Sequence, residues 1–265
     1  ALNADLPPGS EAKSFIAMRY WHPLTDAAVA NVKAFAPTDI TLLPLYPQYS
    51  YTTSGSSLGV WQREARLAGL TAPTRTVCCY PTQPGWVAAY AELTRGGVDE
   101  AAESGKRPRV LFSAHGLPKR VIAKGDPYQW QVEQGAAAIA REAGLDDWVV
   151  CYQSKVGPLE WIGPSTDDEI ARAGRDRVPL VVVPIAFVSE HSETLVELDI
   201  EYAALAQREG VPAYVRVPTV GLHPAFVGGL AGLVRAAWTE QRHPVISQDG
   251  ARLCPNDCGR CPHGQ

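Results

Sequence analysis

The stretch Leu180-Val181-Val182-Val183-Pro184-Ile185-Ala186-Phe187-Val188-Ser189-Glu190-His191-Ser192-Glu193-Thr194-Leu195-Val196-Glu197-Leu198-Asp199-Ile200-Glu201-Tyr202 passes from a β-branched apolar run through a polar turn into a longer amphipathic segment. Residues 180–185 are short enough for a buried strand, and the segment 191–207 is long enough for a crossover helix. The same alternation recurs outward in both directions. Strands are expected at 15–20, 40–45, 74–79, 109–114, 148–152, 180–185 and 213–217. Helices are expected at 25–36 with Thr25 as N-cap, 57–70, 85–94, 128–143, 166–173, 191–207 and 224–238. This order predicts an α/β protein with parallel sheets. The weakly patterned stretch 97–108 divides it into halves, 1–105 and 106–243. The remainder, 244–265, is a Cys-rich tail expected to need a metal for order.

On an α-helix, turning about 100° per residue, Glu193, Glu197 and Glu201 fall on one stripe roughly 80° wide. Leu195, Leu198, Tyr202 and Leu205 lie on one flank and Val196, Ile200 and Ala203 on the other. The arc near Ser192, Asp199 and Ala206 is left as the wet face. This flanking, with His191 at the helix start, favours acids pointing into the protein over a solvated acidic face. Like charges at i,i+4 cost roughly 0.2–0.5 kcal/mol per pair even when exposed, so a proton or a metal ion is expected to offset the repulsion.

The 265 residues suffice for one large domain or two compact α/β units. A hydrophobic fraction of 46% with 20% charged residues excludes a disordered or fibrous chain. A formal net charge of -4, with no run of Lys or Arg, argues against nucleic acid as a partner. The longest apolar run, 180–188, is broken by Pro184 and falls short of the roughly 20 residues that span a bilayer. No secretory signal opens the chain, and a soluble cytoplasmic protein is expected. The opening at Ala1 with a loose polar lead-in reads as a piece of a longer protein. Of six cysteines, Cys254, Cys258 and Cys261 crowd the tail at ligand-like spacing with His263 behind them, whereas Cys78, Cys79 and Cys151 read as small buried thiols at strand ends. No Gly-x-Gly-x-x-Gly turn follows an expected strand, which argues against a nucleotide-binding protein.

In open α/β sheets, ligands bind beyond the carboxyl ends of the strands. Five such ends carry polar residues: Arg19-Tyr20, Tyr46-Pro47-Gln48-Tyr49-Ser50, Ser113-Ala114-His115-Gly116, Gln153-Ser154-Lys155 and Ser189-Glu190-His191. One cleft is expected to gather them. His115 follows the apolar run Val110-Leu111-Phe112 and precedes Gly116, read as easing a sharp turn. An imidazole there can take up a proton near neutral pH, with the acid ladder as a relay; a turn histidine bonded to backbone is the plainer alternative. Neutral imidazole and carboxylates also bind divalent iron.

Six motifs in order resemble the ferrochelatases, enzymes that insert ferrous iron into protoporphyrin IX. They are Arg19-Tyr20 before His22-Pro23-Leu24-Thr25, Tyr46 to Ser50, Ser113-Ala114-His115, Gly125-Asp126-Pro127-Tyr128, Gln153-Ser154-Lys155-Val156-Gly157-Pro158, and the run from Glu190 to Tyr202. The resemblance covers about Phe15 to Phe226. It implies two Rossmann-like three-layer lobes of chelatase type, each with a parallel sheet, and a cleft between them. It implies His115 as the catalytic histidine, accepting pyrrole protons or helping to hold the metal, and Glu193 as its acidic partner. His191, Glu197 and Glu201 would continue a path for protons or Fe2+. Arg19 and Tyr20 match a pair on the opposite pocket wall, at a proposed entry side for metal. Tyr46, Trp161 and Phe187 match pocket residues near the macrocycle, and Thr52, Thr53, Ser154 and Lys155 match wall and rim positions. Metallation requires loss of two pyrrole protons and a bent macrocycle, hence a base on one face and a stiff apolar clamp. The implied partners are protoporphyrin IX and ferrous iron, with monomer or homodimer, and peripheral contact with the inner membrane, left open.

Some ferrochelatases hold a 2Fe-2S cluster on three C-terminal cysteines and a fourth from the body. Cys254, Cys258 and Cys261 resemble that trio, at a spacing unlike the animal one. The animal fourth ligand aligns with Tyr51, so Cys79 or Cys78, and after them Cys151, is the expected substitute. A zinc knuckle of Cys254, Cys258, Cys261 and His263 competes with this expectation. Complete family members begin with a strand, a Gly-Gly-Pro turn and part of the porphyrin lip, so the first strand of the N-terminal half and one cleft wall are expected to be missing. A coproporphyrin or cobalt chelatase is the neighbouring alternative. A non-catalytic haem- or iron-sulfur-binding remnant is the more distant one, and retention of His115 and Glu193 argues against it.

Overall fold

Leu180 to Val183 are all fully buried, as a strand covered on both faces must be, and this run is the inner part of a four-stranded parallel sheet. The computed structural model describes residues 1–3, 6, 9–240 and 243–263. Its elements are α1 (Thr25–Phe35), β1 (Ile40–Leu42), α2 (Ser54–Leu67), β2 (Thr74–Val77), α3 (Pro84–Ala102), β3 (Arg109–His115), α4 (Lys119–Ile122), α5 (Tyr128–Ala143), β4 (Trp148–Gln153), α6 (Thr166–Asp176), β5 (Leu180–Pro184), a π-helix (Glu193–Tyr202), α7 (Ala203–Arg208), β6 (Tyr214–Arg216), α8 (Pro224–Thr239) and β7 (Val245–Ile246). The sheets have orders β1-β2-β7 and β4-β3-β5-β6, and every pairing is parallel. The α/β expectation with two parallel sheets is borne out.

Alternation along the strands divides the core. Val110 and Phe112 of β3, with Val181 and Val183 of β5, face one large cluster with Trp86, Tyr90, Val132 and Ile139 from α3 and α5. Leu111, Leu180 and Val182 face the other way, onto Ile170 of α6 and Leu198 and Tyr202 of the π-helix. The large cluster also takes in Val77 and Ile246 of the smaller sheet, because α3 packs on β5 and β6 while α8 packs on β1 and β2, and the two helices pack on each other. Fully burying one such aliphatic or aromatic side chain is worth about 1.5–3 kcal/mol, so the shared cluster holds the two sheets together.

Several expectations need correction. Residues 15–20 form no strand: Met18 makes a single bridge to Leu24, with its N–H on the Pro23 carbonyl at 2.9 Å, and Ile16 and Tyr20 are exposed. A strand needs a partner along its length, and none of the described residues supplies one. Leu24, not Thr25, is the N-cap of α1 and gives no side-chain bond, while the Thr25 hydroxyl reaches back to the Met18 carbonyl. Helix α3 continues through Gly96 and Gly97 to Ala102, because the bare Gly97 lets it approach the strands; a Cβ there would stand 2.9 Å from Val217 Cγ2. The first half of the stretch 97–108 belongs to this helix. Val245–Ile246, too short to show a period, adds a third strand to the smaller sheet.

The acidic segment is a π-helix rather than an α-helix, which changes which side chains share a line. Bonds to the fifth residue widen each turn. Thr194, Leu198 and Tyr202, four apart, form the buried face. Leu195, Val196 and Ile200, expected to flank buried acids, are 47%, 46% and 62% exposed, and Glu201 is exposed as well. Only the first two glutamates lie against the body of the protein.

Two glycines offer a test of the packing. A Cβ on Gly135 of α5 would lie 2.8 Å from the Pro81 carbonyl oxygen and 3.1 Å from the fully buried Trp86 ring, whereas one on Gly96 would meet nothing within 4 Å. Gly135→Ala is expected to destabilise by about 1–3 kcal/mol. Gly96→Ala should stabilise by about 0.5–1 kcal/mol. Urea unfolding of the two variants checks both signs.

Candidate active site

Strand β3 lies inside its sheet, and the chain leaves it first toward β4 and then returns to its other side for β5. Such a reversal opens a crevice beyond the strand ends. His115, the last residue of β3, and Glu193, the first of the π-helix after β5, meet there with Nδ1 2.8 Å from Oε2. Their side chains keep 40% and 37% of their surface. The hydrogen bond from His115 is the main reason the Glu193 carboxyl sits below its ordinary range, its half-burial working the other way. An ionised Glu193 holds the proton of neutral His115 on Nδ1 and leaves the lone pair on Nε2.

The backbone behind this pair is tightly held. The Tyr128 hydroxyl donates to the His115 carbonyl oxygen at 3.0 Å, and Gly116 N–H donates to the Gln153 carbonyl oxygen at 2.9 Å. Gly116 serves by size and not by a left-handed turn: a Cβ would stand 3.0 Å from that carbonyl oxygen and 3.1 Å from the Trp161 ring. Trp161, expected near the macrocycle, therefore packs directly beside the turn that follows His115, its indole N–H donating to the Val156 carbonyl.

Glu197 is saturated. Its two oxygens accept from Gln153 Nε2 at 2.9 Å, Ser154 N–H at 2.8 Å, Ser154 Oγ at 2.5 Å and Tyr202 Oη at 3.1 Å. Ser154 takes a left-handed φ of 62° to present both donors, a conformation uncommon for a non-glycine residue. His191 accepts from the Glu193 N–H on its Nδ1 at 3.1 Å, with its ring edge-on to Phe187 at 4.5 Å. The structure thus brings His115, Glu193, His191 and Phe187 together and sets Glu197 against the end of β4. Glu201 stands apart, exposed.

The facing wall comes from the N-terminal half. Burial, then the charges of Glu193 and Tyr20, hold the Tyr46 hydroxyl above its ordinary pKa, so Tyr46 is within electrostatic reach of both. Arg19 Nε donates to Ser56 Oγ at 3.2 Å, and its guanidinium covers the Tyr20 ring at 4.6 Å. The Thr52 hydroxyl pairs with Ser50 Oγ and that of Thr53 donates to the Ser50 carbonyl, so both serve first to shape the loop. Lys155 is exposed at the rim. Sequence analysis placed Ser113 and Gln153 at the cleft without giving either a role: Ser113 Oγ donates to Gln153 Oε1 at 2.7 Å, and Gln153 passes a bond to Glu197. Their signal was polarity within runs that must be buried.

A second cluster lies at the tail. Cys254 Sγ accepts from Gln131 Nε2 at 3.1 Å, with Cys261 and Cys79 as its thiol neighbours, and Cys78 Sγ is 3.5 Å from Cys79 Sγ. These neighbours pull the Cys254 thiol well below its ordinary pKa. Soft thiols fit an iron-sulfur group in kind. As the side chains stand, however, no group of three or more His, Cys, Asp or Glu among the described residues could hold a metal ion. The thiols bond to one another, with Cys258 half-buried outside that set. His263 turns its Nε2 to the Gly250 carbonyl, away from a zinc knuckle. Cys151 is buried in the core of the larger sheet against Thr166, in a different cluster from the tail.

The ferrochelatase family model matches residues 1–238. The chain belongs to the ferrochelatase family. The Caulobacter vibrioides ferrochelatase is 53% identical over 256 residues, 96% of this chain and 72% of that protein. The Phenylobacterium zucineum ferrochelatase is 51% identical over 265 residues, 98% of this chain and 75% of the other. The Hyphomonas neptunium ferrochelatase is 45% identical over 269 residues, 100% and 73%. Among solved structures, SirB from Bacillus subtilis with Fe3+ superposes with a TM-score of 0.56 at 12% identity over 83% of this chain and 79% of its own, a likeness of fold alone. The ferrochelatase membership makes the chain an enzyme, a porphyrin metal chelatase of haem biosynthesis. No helix among the described residues is long and apolar enough to cross a membrane.

Because Glu193 titrates below its ordinary range in the fold, its pairing contributes stability that is complete above that range and is lost as pH falls through the lowered value. Glu193→Gln should therefore melt below the wild type at pH 7, and the gap should close below about pH 4. Thermal melts of both proteins between pH 3 and 7 measure it.

Proposed function

We propose that this ferrochelatase inserts Fe2+ into protoporphyrin IX, releasing two protons and forming protohaem. The reading is carried by the 2.8 Å pairing of His115 Nδ1 with Glu193 at the strand-end crevice. A neutral imidazole whose tautomer is set by an adjacent carboxylate has Nε2 ready to accept a pyrrole proton, and the carboxylate stabilises the imidazolium that results. Ferrous iron, the second substrate, would approach from the Arg19-Tyr20 side. Trp161 beside Gly116 and Phe187 beside His191 are stiff faces against which a flat macrocycle could be bent. Glu197 orders the end of β4, and His191 orders the start of the π-helix.

Part of the reading concerns place and assembly. It divides the chain into lobes 1–105 and 106–243 with a tail from 244, the two lobes supported by the separate strands β1-β2 and β3 to β6, while the tail returns Val245–Ile246 to the smaller sheet. It also places the enzyme in the cytoplasm, with peripheral contact to the inner membrane and the choice between monomer and homodimer left open. Cell fractionation and sedimentation test those points.

His115→Ala should lower the metallation rate by at least about a hundredfold while porphyrin binding, followed by fluorescence, is retained. Assayed side by side, protoporphyrin should be metallated faster than coproporphyrin; the reverse order would move the assignment to the neighbouring enzyme, and equal failure with both would overturn it.

The proposal extends to a 2Fe-2S cluster on Cys254, Cys258 and Cys261 with Cys79 or Cys78, supported by the gathering of four of these thiols and requiring Cys258 to turn inward. Purified protein should then contain iron and acid-labile sulfide and show visible charge-transfer bands that Cys254→Ser bleaches. Colourless protein without sulfide would remove the cluster, and stoichiometric zinc would replace it with the knuckle.

A further inference from the structure

The motif Gly125-Asp126-Pro127-Tyr128 has no part in the chemistry above, yet it touches both walls of the cleft. Asp126 is 3% exposed. Its Oδ2 accepts from Ser50 Oγ and from the Tyr51 N–H, both at 2.9 Å, and its Oδ1 accepts from the Tyr128 N–H at 2.9 Å. The first two donors belong to the loop after β1 that begins with Tyr46. The third opens helix α5 of the other half. Two residues on, the Tyr128 hydroxyl holds the His115 carbonyl at 3.0 Å. Burial, with Glu193 and Asp126 nearby, pushes that hydroxyl far above neutrality, so it is always a donor.

The turn is braced from behind. Gly125 has φ +85°, and a Cβ on it would stand 2.6 Å from the Gly259 N, so only glycine fits between Asp126 and the tail. Arg260 N–H donates to the Gly125 carbonyl at 3.0 Å. One turn further along α5, the fully buried Gln131 accepts from the Tyr49 N–H at 2.7 Å and donates to Cys254. Every bond on the loop side comes from residues 49–51, and the bond on the base side ends at His115.

We propose that Asp126 and Tyr128 are positioning residues of metallation, Asp126 setting the loop that carries Tyr46 against the catalytic half and Tyr128 setting the backbone of His115. The assignment rests on the chelatase reading given above. A base must meet its proton within a few tenths of an ångström, and the two halves contribute the base and the facing wall separately, so something must fix their separation. A buried carboxylate with three donors, two from one half and one from the other, does this more rigidly than apolar packing, because each bond is directional.

The two residues predict different kinetic losses. Tyr128→Phe removes only the bond to His115: kcat should fall about ten- to a hundredfold, with the KM and the fluorescence-derived Kd for protoporphyrin within about twofold of wild type. Asp126→Asn must turn an amide N–H2 toward at least one of its donors: KM and Kd should rise about tenfold with kcat largely kept. If Asp126→Asn does not fold, Ser50→Ala removes one arm and should move KM and Kd the same way by less. Loss of activity in both variants merely in proportion to their unfolded fraction by circular dichroism would overturn the proposal, as would wild-type kcat and KM in both. A wild-type protein that metallates no porphyrin would sink the chelatase reading. The contrast in Kd between the two variants would still decide whether Asp126 sets the wall.

Discussion

Strand β3 is hydrogen-bonded on both edges, to β4 from Val110 to His115 and to β5 from Arg109 to Ser113, and the remaining geometry of the cleft follows from that. Because the two neighbours run parallel to it, all three strands release their chains at the same end of the sheet. His115 leaves β3 there, Gln153 and Ser154 leave β4 beside it, and β5 leads into the turn that starts the π-helix. Apolar side chains on both faces make this register costly to shift, since a slip by one residue would turn Phe112 and Val181 away from their cluster. His115 and Glu193, 78 residues apart in sequence, meet at the end of this doubly bonded strand.

Close spacing of acids after β5 raised the question of what offsets their repulsion. The structure answers it by giving most of them separate partners. Glu193 has the imidazole. Glu197 has four donors from β4, its following turn and Tyr202. Asp199 takes a two-pronged bond from Arg216 at 2.6 and 2.7 Å, and the same guanidinium reaches Glu190 at 2.7 Å. Glu201 is left to solvent. Hydrogen bonds to the charged form favour ionisation as a bound cation would, and the bond from His115 holds the Glu193 carboxyl below its ordinary range.

The tail and the cleft share supports rather than atoms. Gln131 joins Cys254 to the backbone of Tyr49, and Gly125 lies under the tail on one side and beside Asp126 on the other. Buried polar groups of this kind are costly when half-satisfied and directional when complete. This gives a physical reason for a Cys-rich appendage to sit where it does: it closes the back of the turn that spans the two halves.

Local pattern alone determined the strand and helix order from residue 25 to residue 239 apart from the single turn α4, because burial on two faces leaves β-branched runs and burial on one face leaves a helical period. It also singled out His115 and the series Glu193, Glu197 and Glu201, while the choice of Glu193 as the partner of His115 came from the resemblance. It could not tell a π-helix from an α-helix, since both tolerate the same apolar and acidic residues and the choice rests on what packs beside them; the exposure of Leu195, Val196 and Ile200 follows from that choice. It misjudged Gly97 and Gly116, whose value is the room they leave for Val217 and Trp161. Tertiary structure alone decided the roles of Asp126, Tyr128, Gln131 and Gln153, because each acts by reaching a backbone or side chain distant in sequence, and a hydrogen bond between remote segments leaves no period for a sequence to show.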